Sequence, residues 1–324
     1  MSHLLAAVLG VLVATNQLVA PAHLSRSLTN AVPGAPDPND PVEKQYHKLM
    51  DDDDEAQAEV DKWIRDNQEF AAVGAGVSRE ALNRRIFDRF APVRKGYETF
   101  LQQHTNHVRA RIAYASFLDD IHDEDASMTQ LELAREIDPR EPSIWNNLAN
   151  YYGHNGELAK AFDYYSKAIA LNPNEPVYYH NFGTTVFLFR KDAREHYQIS
   201  EQQVFDKALT LYHDAMKLAP DDFPLASDVA QTFYGIRPPR NDDALRAWTN
   251  AVNLARDDIE REGVHTHFAR VKLHAGRFDE ARLHLNSVTN EMYAELKRRL
   301  TRSLNDEEAK VKGTNAPPTD AVKP

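Results

Sequence analysis

Apolar residues recur at helical spacing along most of this chain. In the clearest stretch, Trp145, Leu148 and Tyr152 fall at i, i+3 and i+7, which places them on one face of a helix. Gly156 follows in a predicted turn, because glycine tolerates the backbone angles that end helices. A second apolar stripe then runs to Pro173, where a helix cannot continue. The pattern predicts a hairpin of two helices.

The hairpin pattern repeats along the chain. Pro139 and Pro173 stand 34 residues apart, and Thr105 stands another 34 residues before Pro139. The copy between Thr105 and Pro139 lacks the central glycine of the turn. The copy after Pro173 is interrupted by an insertion at residues 191–203, and two further copies follow. We therefore predict five hairpins, two of them strongly marked.

Small residues stand where the two helices of a copy must cross. Close approach of two helices needs small side chains at the contact, and large aromatic residues then fill the neighbouring grooves. Packing is a sufficient explanation for all of these positions. They are Ala149, Ala161 and Ala168 in one copy, Gly183, Ala208 and Ala215 in the next, and Ala230, Ala244 and Ala251 in the following one.

The unit resembles the tetratricopeptide repeat, a helical hairpin of about 34 residues. The resemblance implies an all-α fold, a right-handed superhelix (α-solenoid) of about five hairpins with extra N-terminal helices and a C-terminal capping helix. Such hairpins stack because each alone cannot bury its apolar face, and the stack serves as a binding scaffold. The residues that carry the resemblance are Trp145, Leu148, Ala149, Tyr152, Gly156, Ala161, Tyr165, Ala168 and Pro173.

The flanking regions differ in composition from the repeats. An apolar run at residues 4–14 precedes Ala20-Pro21-Ala22, which fits a small-x-small signal-peptide cleavage site. Four prolines follow before residue 42, which is typical of a linker. We expect, in order, a signal peptide at 1–22, a proline-rich linker at 23–41, N-terminal helices at 42–76, the repeats at 77–289, a capping helix at 290–303 and a disordered tail at 304–324.

The apolar run predicts an exported protein, periplasmic or secreted. It is too short for a typical membrane span, so we expect no stable membrane insertion after the signal is removed. Only the terminal amine and His3 precede the run as positive groups, which is weak for a signal peptide. The alternatives are therefore a cytoplasmic protein, or one anchored to a membrane by an uncleaved N-terminal segment.

Charge argues against nucleic acid as the main partner. The chain has 38 Lys and Arg residues against 49 Asp and Glu residues, a net charge of −11, whereas phosphate binding requires a basic stripe. The acidic run at 51–55 is most simply an acidic helix N-terminus, with loose cation binding as the alternative. The basic stretch at 79–95 is most simply a solvated face, with an anion site as the alternative.

Candidate chemistry is sparse. The absence of cysteine excludes disulfides, zinc–thiolate sites and a cysteine nucleophile. His267 and His274 are too far apart on one helix to chelate together, and His265 lies across that helix from His267. No phosphate loop, nucleophile elbow or zinc-protease motif occurs. We predict no metal, no cofactor, no catalytic residue and no enzymatic activity, with a site assembled across repeats as the alternative.

The functional prediction concerns the first helix of each copy, which lines the concave groove in the family that the repeats resemble. Here that face carries mostly neutral polar side chains. An asparagine amide pairs with both the N–H and the C=O of an extended backbone, which would allow sequence-tolerant peptide capture; a merely solvated face is the alternative. These residues, here called the polar row, are Asn147, Asn150, Asn181, Thr184, Asp228, Gln231, His267 and Arg270.

The sequence thus predicts a non-catalytic interaction scaffold or adaptor of the cell envelope, which binds a protein or extended peptide in its groove. The alternative is a structural subunit that self-associates or joins a larger envelope or secretion complex. A clamp for a C-terminal carboxylate, found in some relatives of this repeat, is not expected. Such a clamp needs several cations, and Arg270 is the single dependable one in the polar row.

Overall fold

A computed structural model describes residue 37, residues 39–72 and residues 74–314. These residues form fourteen α-helices and no strand, so the predicted all-α class is confirmed. The predicted signal peptide, most of the linker and the last part of the tail lie outside the described residues. The chain divides into two compact units, the first ending at Pro173 and the second beginning at Asn174.

The first unit contains three hairpins made of consecutive helices. Its first hairpin precedes the repeats, and the other two are the predicted copies around Thr105 and Trp145. The helices are α1 (Pro41–Ala72), α2 (Arg79–Gln103), α3 (Val108–Asp120), α4 (Glu124–Ile137), α5 (Pro142–His154) and α6 (Leu158–Leu171).

The second unit contains the remaining three predicted hairpins, α7/α9, α10/α11 and α12/α13, followed by a closing helix. Its helices are α7 (Pro176–Leu188), α8 (Arg190–Tyr197), α9 (Glu201–Leu218), α10 (Phe223–Thr232), α11 (Asn241–Leu254), α12 (Asp258–His274), α13 (Phe278–Asn286) and α14 (Ala294–Thr314). Short 3₁₀ turns follow α10 and precede α14. Within the described part of the chain, no helix is both long and apolar enough to cross a membrane.

The predicted helix crossings are present in the α5/α6 and α7/α9 hairpins. Ala149 and Ala161 are fully buried where α5 meets α6. In the second unit, a Cβ added to Gly183 would lie 3.1 Å from the ring of Tyr212 and 3.3 Å from the carbonyl oxygen of Ala208. The backbone of α7 therefore approaches α9 more closely than a larger residue would allow.

A left-handed backbone residue closes the turn of both the α3/α4 and the α5/α6 hairpin. Gly156 supplies it between α5 and α6, with φ of 81°. The α3/α4 hairpin lacks this glycine, and His122 occupies the left-handed position instead, with φ of 64°. The same backbone hydrogen bond, from the residue after the left-handed position to a carbonyl in the last helical turn, closes both helix ends. The copy is thus degenerate in sequence and regular in geometry.

The N-terminal hairpin corrects two expectations. We expected the acidic run at 51–55 at a helix N-terminus, but it lies in the middle of α1, because no breaking residue interrupts the helix after Pro41. Asp53 is buried within this run and accepts a 2.5 Å hydrogen bond from the hydroxyl of Tyr97. The second helix, α2, extends to residue 103, into the range predicted for the repeats.

The acidic α1 and the basic α2 pair with each other. Arg89 donates to Glu59 at 2.9 Å, and the guanidinium of Arg85 lies 3.7 Å from the ring centre of Trp63. The basic stretch therefore has an intramolecular use, since Arg85 and Arg89 contact the acidic helix beside it. Pairs of this exposure contribute little individually, about 0.2–1 kcal/mol.

The insertion forms a short helix between the two helices of its hairpin. Ser200 and Gln203 have the sequence spacing of a capping box and make both of its hydrogen bonds, and α9 begins at Glu201. Residues 190–197 are α8, whose Ala193 is fully buried. Ala193 thus packs into the second unit, while most side chains of α8 remain exposed.

The closing helix is longer than expected. We predicted disorder from Leu304 onward, but α14 continues to Thr314 and Leu304 is buried. Arg282 on α13 donates to Glu308 at 2.7 Å, and Lys312 pairs with the same carboxylate one helical turn away. Charged residues that suggested disorder instead stabilise an exposed helix, through contacts with a helix more than twenty residues earlier.

The left-handed His122 gives a stability prediction. We expect His122→Gly to raise the free energy of unfolding of the first unit by about 0.5–1 kcal/mol, because the steric cost of this backbone region exceeds the extra entropy of an unfolded glycine. Gly156→Ala is the matched control and should lower stability by about 1 kcal/mol through the backbone alone, since its new Cβ would meet open space. Urea unfolding measures both. A loss of stability in His122→Gly would contradict the assignment of strain to this turn.

Candidate peptide-binding surfaces

In the first unit the polar row consists of Asn147 and Asn150 on α5. Pro142 starts this helix, and the side chain of Glu141 caps it by accepting from the backbone N–H of Ser143 at 3.1 Å. Leu148 and its neighbour Ala149 are fully buried, which fixes the rotation of the helix. Both asparagines consequently lie at the edge of the packed face and are partly exposed.

Internal hydrogen bonds orient the two amides. The hydroxyl of Tyr165 on α6 donates to Oδ1 of Asn150 at 2.6 Å, and Nδ2 of Asn146 donates to Oδ1 of Asn147 at 3.3 Å. Each oxygen is thus occupied, and neither Nδ2 group donates to another residue in the described part of the unit. The surface presents two amide donors on one side of a helix.

The spacing of these donors suits an extended peptide. Side chains three residues apart on a helix have Cβ atoms about 5–6 Å apart. Carbonyls on the same side of an extended strand repeat every two residues, about 6.6–6.8 Å. Asn147 and Asn150 can therefore donate to two successive carbonyls that face them. The equivalent positions of the preceding repeat, 34 residues earlier, are Ala113 and Ser116, so α5 is the first helix to carry the asparagine amides.

In the second unit, α7 and α10 carry the next members of the polar row. Asn181 is buried, with 6% exposed, so α7 presents mainly Thr184, whose Oγ1 accepts from the hydroxyl of Tyr212 at 3.0 Å. Asp228 on α10 is exposed, and its Oδ2 lies 3.4 Å from Nε2 of His180. The contact between His180 and Asp228 joins α7 to α10 and depends on the fold. On the same helix, Gln231 donates to Ser227 at 3.4 Å.

The tyrosines that orient the polar row were missed, although the sequence contains a signal for them. Tyr165 follows Asn150 by 15 residues, and Tyr212 follows Thr184 by 28 residues. The difference of 13 residues equals the length of the insertion at 191–203. In both hairpins, therefore, a tyrosine at the same position of the second helix donates a hydrogen bond to the residue at the same position of the first helix.

His267 on α12 is a packing residue rather than an open donor. Its ring stacks on Trp248 with 4.0 Å between ring centres and an interplanar angle of 8°, and its Nδ1 lies 2.9 Å from the hydroxyl of Tyr234. Burial, assisted by the nearby charge of Arg270, lowers the pKa of His267 to about 3. The imidazole is therefore neutral at neutral pH.

Arg270 is the cationic member of the polar row. Its guanidinium lies 5.5 Å from the ring centre of Tyr234, and no acidic side chain in the described residues pairs with it. A guanidinium held over an aromatic ring keeps its hydrogen-bond donors available at the ring's edge. Arg270 can thus donate hydrogen bonds to a carbonyl or carboxylate of a ligand.

The depressed pKa of His267 predicts acid sensitivity. Because its pKa falls from about 6.5 in the unfolded chain to about 3 in the folded one, its contribution to stability is complete above pH 6.5 and is lost as pH falls toward 3. His267→Phe should keep the stacking on Trp248 and flatten the dependence of unfolding free energy on pH in this window. Urea unfolding of both proteins at pH 7, 5 and 4 measures the difference. An unchanged slope would mean that His267 is protonated in the folded protein.

Comparison with known proteins supports the repeat assignment. Residues 142–175 match the family model described as tetratricopeptide repeat. The chain is 33% identical over 93 residues to the photosystem I assembly protein Ycf3 of Acaryochloris marina, covering 28% of this chain and 56% of that protein. It is 30% identical over 112 residues to the protein of the same name from Rippkaea orientalis, covering 34% and 60%. The chain thus spans little more than half the length of these relatives.

Among solved structures, PilW, a type IV pilus biogenesis factor, superposes with a TM-score of 0.51 and 14% identity. The superposition covers 67% of this chain and 95% of PilW. At this identity the similarity concerns the arrangement of helices.

Proposed function

We propose that this chain, a tetratricopeptide-repeat protein, is a non-catalytic scaffold that binds an extended segment of a partner protein through the polar-row residues of the first unit, Asn147 and Asn150. The observation that carries the proposal is the pair of oriented amide donors on α5. Asn147 and Asn150 each accept a hydrogen bond at Oδ1 from a neighbouring side chain, and their Nδ2 groups donate to no other residue in the described part of the unit. Such donors recognise peptide backbone and not a particular side chain, which favours a partner bound by its conformation.

The energetics require more than these two contacts. A hydrogen bond of this kind contributes about 0.5–1.5 kcal/mol net, so two of them account for at most about 3 kcal/mol of binding. Micromolar affinity corresponds to about 8 kcal/mol. The partner segment must therefore gain the remainder from further apolar and polar contacts along its length. Because the amides are already held by internal hydrogen bonds, little side-chain entropy is lost when they bind.

The comparisons give the proposal additional support. Tetratricopeptide-repeat hairpins serve generally as protein–protein interaction scaffolds. The two curated relatives are named as assembly proteins, which is a role that needs a surface for partner subunits and no chemistry. We propose that the present chain likewise binds partner proteins, and that it does so as an adaptor in the cell envelope.

The proposal is tested by measuring the affinity of the double variant Asn147→Ala/Asn150→Ala for a partner segment. Partners are first captured by crosslinking in cells, and an extended segment of the captured protein is then titrated against the purified chain. Loss of two amide donors should weaken binding about tenfold or more. Asn106→Ala changes an exposed asparagine between α2 and α3 and should bind as tightly as the unmodified chain. Equal affinity of the double variant and the unmodified chain would refute a role of α5 in binding.

The same preparation addresses the alternative function, a structural subunit that assembles with itself. Sedimentation equilibrium over a hundredfold concentration range should give the mass of a single chain, 36.8 kDa for the full 324 residues, if the protein acts as an adaptor. A mass that rises with concentration, together with no captured partner, would favour self-assembly.

We also propose that the protein is exported. The apolar run at 4–14 and the small residues Ala20 and Ala22 support this location. N-terminal sequencing of protein purified from its native host should then give a mature start near His23. An intact Met1 in protein from a cytoplasmic fraction would be incompatible with cleavage and export.

A further inference from the structure

Two histidines on neighbouring helices of the second unit face each other. His265 lies on α12 and His284 on α13, and their Nδ1 atoms are 2.9 Å apart. The two ring centres are 5.2 Å apart, and both side chains are partly exposed. Sequence reasoning compared His265 only with histidines of its own helix, so this pair follows from the hairpin's tertiary contact.

The short separation requires something positive between the two nitrogens. A neutral imidazole carries one N–H and one lone pair. Two lone pairs directed at each other across 2.9 Å would repel. The pair is therefore bridged either by the N–H proton of one ring or by a cation that both lone pairs bind.

The surroundings keep both rings in the metal-binding form. Burial and then the charge of Lys272 lower the pKa of His284 to about 4, and burial lowers the pKa of His265. Both imidazoles are thus neutral at pH 7, which is the protonation state that binds metal ions. Phe268 stacks beneath His284 with 4.8 Å between ring centres and supports the orientation of its ring.

The nearby carboxylates are already engaged. Glu262 accepts hydrogen bonds at 2.7 Å from the backbone N–H groups of Thr289 and Asn290, and Glu280 pairs with Lys272 at 2.7 Å. No cluster of three or more metal-binding side chains occurs in the described residues. A metal ion at the histidine pair would consequently have two protein ligands, with water completing its shell.

We propose that His265 and His284 form a two-imidazole site for a divalent transition-metal ion, which connects α12 to α13. Two imidazole nitrogens on a tetrahedral ion, each at about 2.0–2.1 Å, lie about 3.4 Å apart. The observed separation of 2.9 Å is reached from this by a small rotation of either side chain. Imidazole ligands favour Cu²⁺, Ni²⁺ and Zn²⁺ over Mg²⁺ and Ca²⁺, which prefer oxygen.

Binding would proceed without net release of a proton near pH 7. The ring that donates its Nδ1–H to the other transfers this proton, through solvent, to its own Nε2, and both Nδ1 lone pairs then bind the metal. Each ring ends with one N–H, as it began. Because a proton and a metal ion compete for the same lone pair, affinity should fall with acidification.

The test is metal-dependent stabilisation of the untagged full chain. Thermal unfolding with and without 1 mM Ni²⁺, Zn²⁺ or Cu²⁺ should show a rise of several degrees, and Mg²⁺ should give none, because an ion that binds only the folded state stabilises it. Calorimetric titration should give one site fewer in His284→Phe than in the unmodified chain. Phenylalanine preserves stacking on Phe268 and cannot bind metal, so the fold is expected to persist. His265→Ala should behave in the same way.

His213→Ala, which removes an exposed histidine of α9, is the control and should retain the full metal response. A metal response that persists in both His265→Ala and His284→Phe would place the ion elsewhere and overturn the proposal. The proposal would also be overturned if none of the three ions stabilised the unmodified chain. The two histidines would then be joined only by a hydrogen bond from the N–H of one ring to the lone pair of the other. Neither result depends on the partner proposed for the polar row.

Discussion

The close crossing of two helices at small residues is the constraint on which the rest of this structure depends. Ala149 and Ala161 are fully buried where α5 and α6 touch, and the backbone at Gly183 leaves no space for a side chain beside Tyr212. Only when the axes lie this close does a tyrosine one helical turn beyond the second-helix alanine reach the first helix. The hydroxyl of Tyr165 reaches Asn150 for this reason.

Core packing therefore also positions the candidate site. A tyrosine ring fills the groove beside the crossing, and its hydroxyl occupies the acceptor of a surface amide or hydroxyl on the first helix. The first-helix side chain loses its rotational freedom during folding and not during binding, which is the basis of preorganised recognition. The arrangement occurs in both units, at Asn150 and at Thr184, with a different polar group at the surface in each.

The hairpin tolerates large local departures as long as the crossing is kept. His122 replaces the turn glycine at a steric cost, and the insertion at 191–203 adds a helix without separating α7 from α9. At the last hairpin, the close approach of α12 and α13 brings two histidines together and leaves the nearby Glu262 to hold the following turn. Function can therefore vary along the chain while its architecture is retained.

The sequence alone determined the hairpins, their crossings, the capping box at Ser200 and the start of α9, because these depend on helical periodicity and on local turn chemistry. It determined the polar row only as positions on a helix face. Tertiary structure decided that Asn181 is buried, that His267 stacks on Trp248 and that His265 meets His284. It also extended α14 beyond Leu304. Each of these outcomes depends on side chains from another helix, and the spacing of residues along one helix carries no information about which partner will face it.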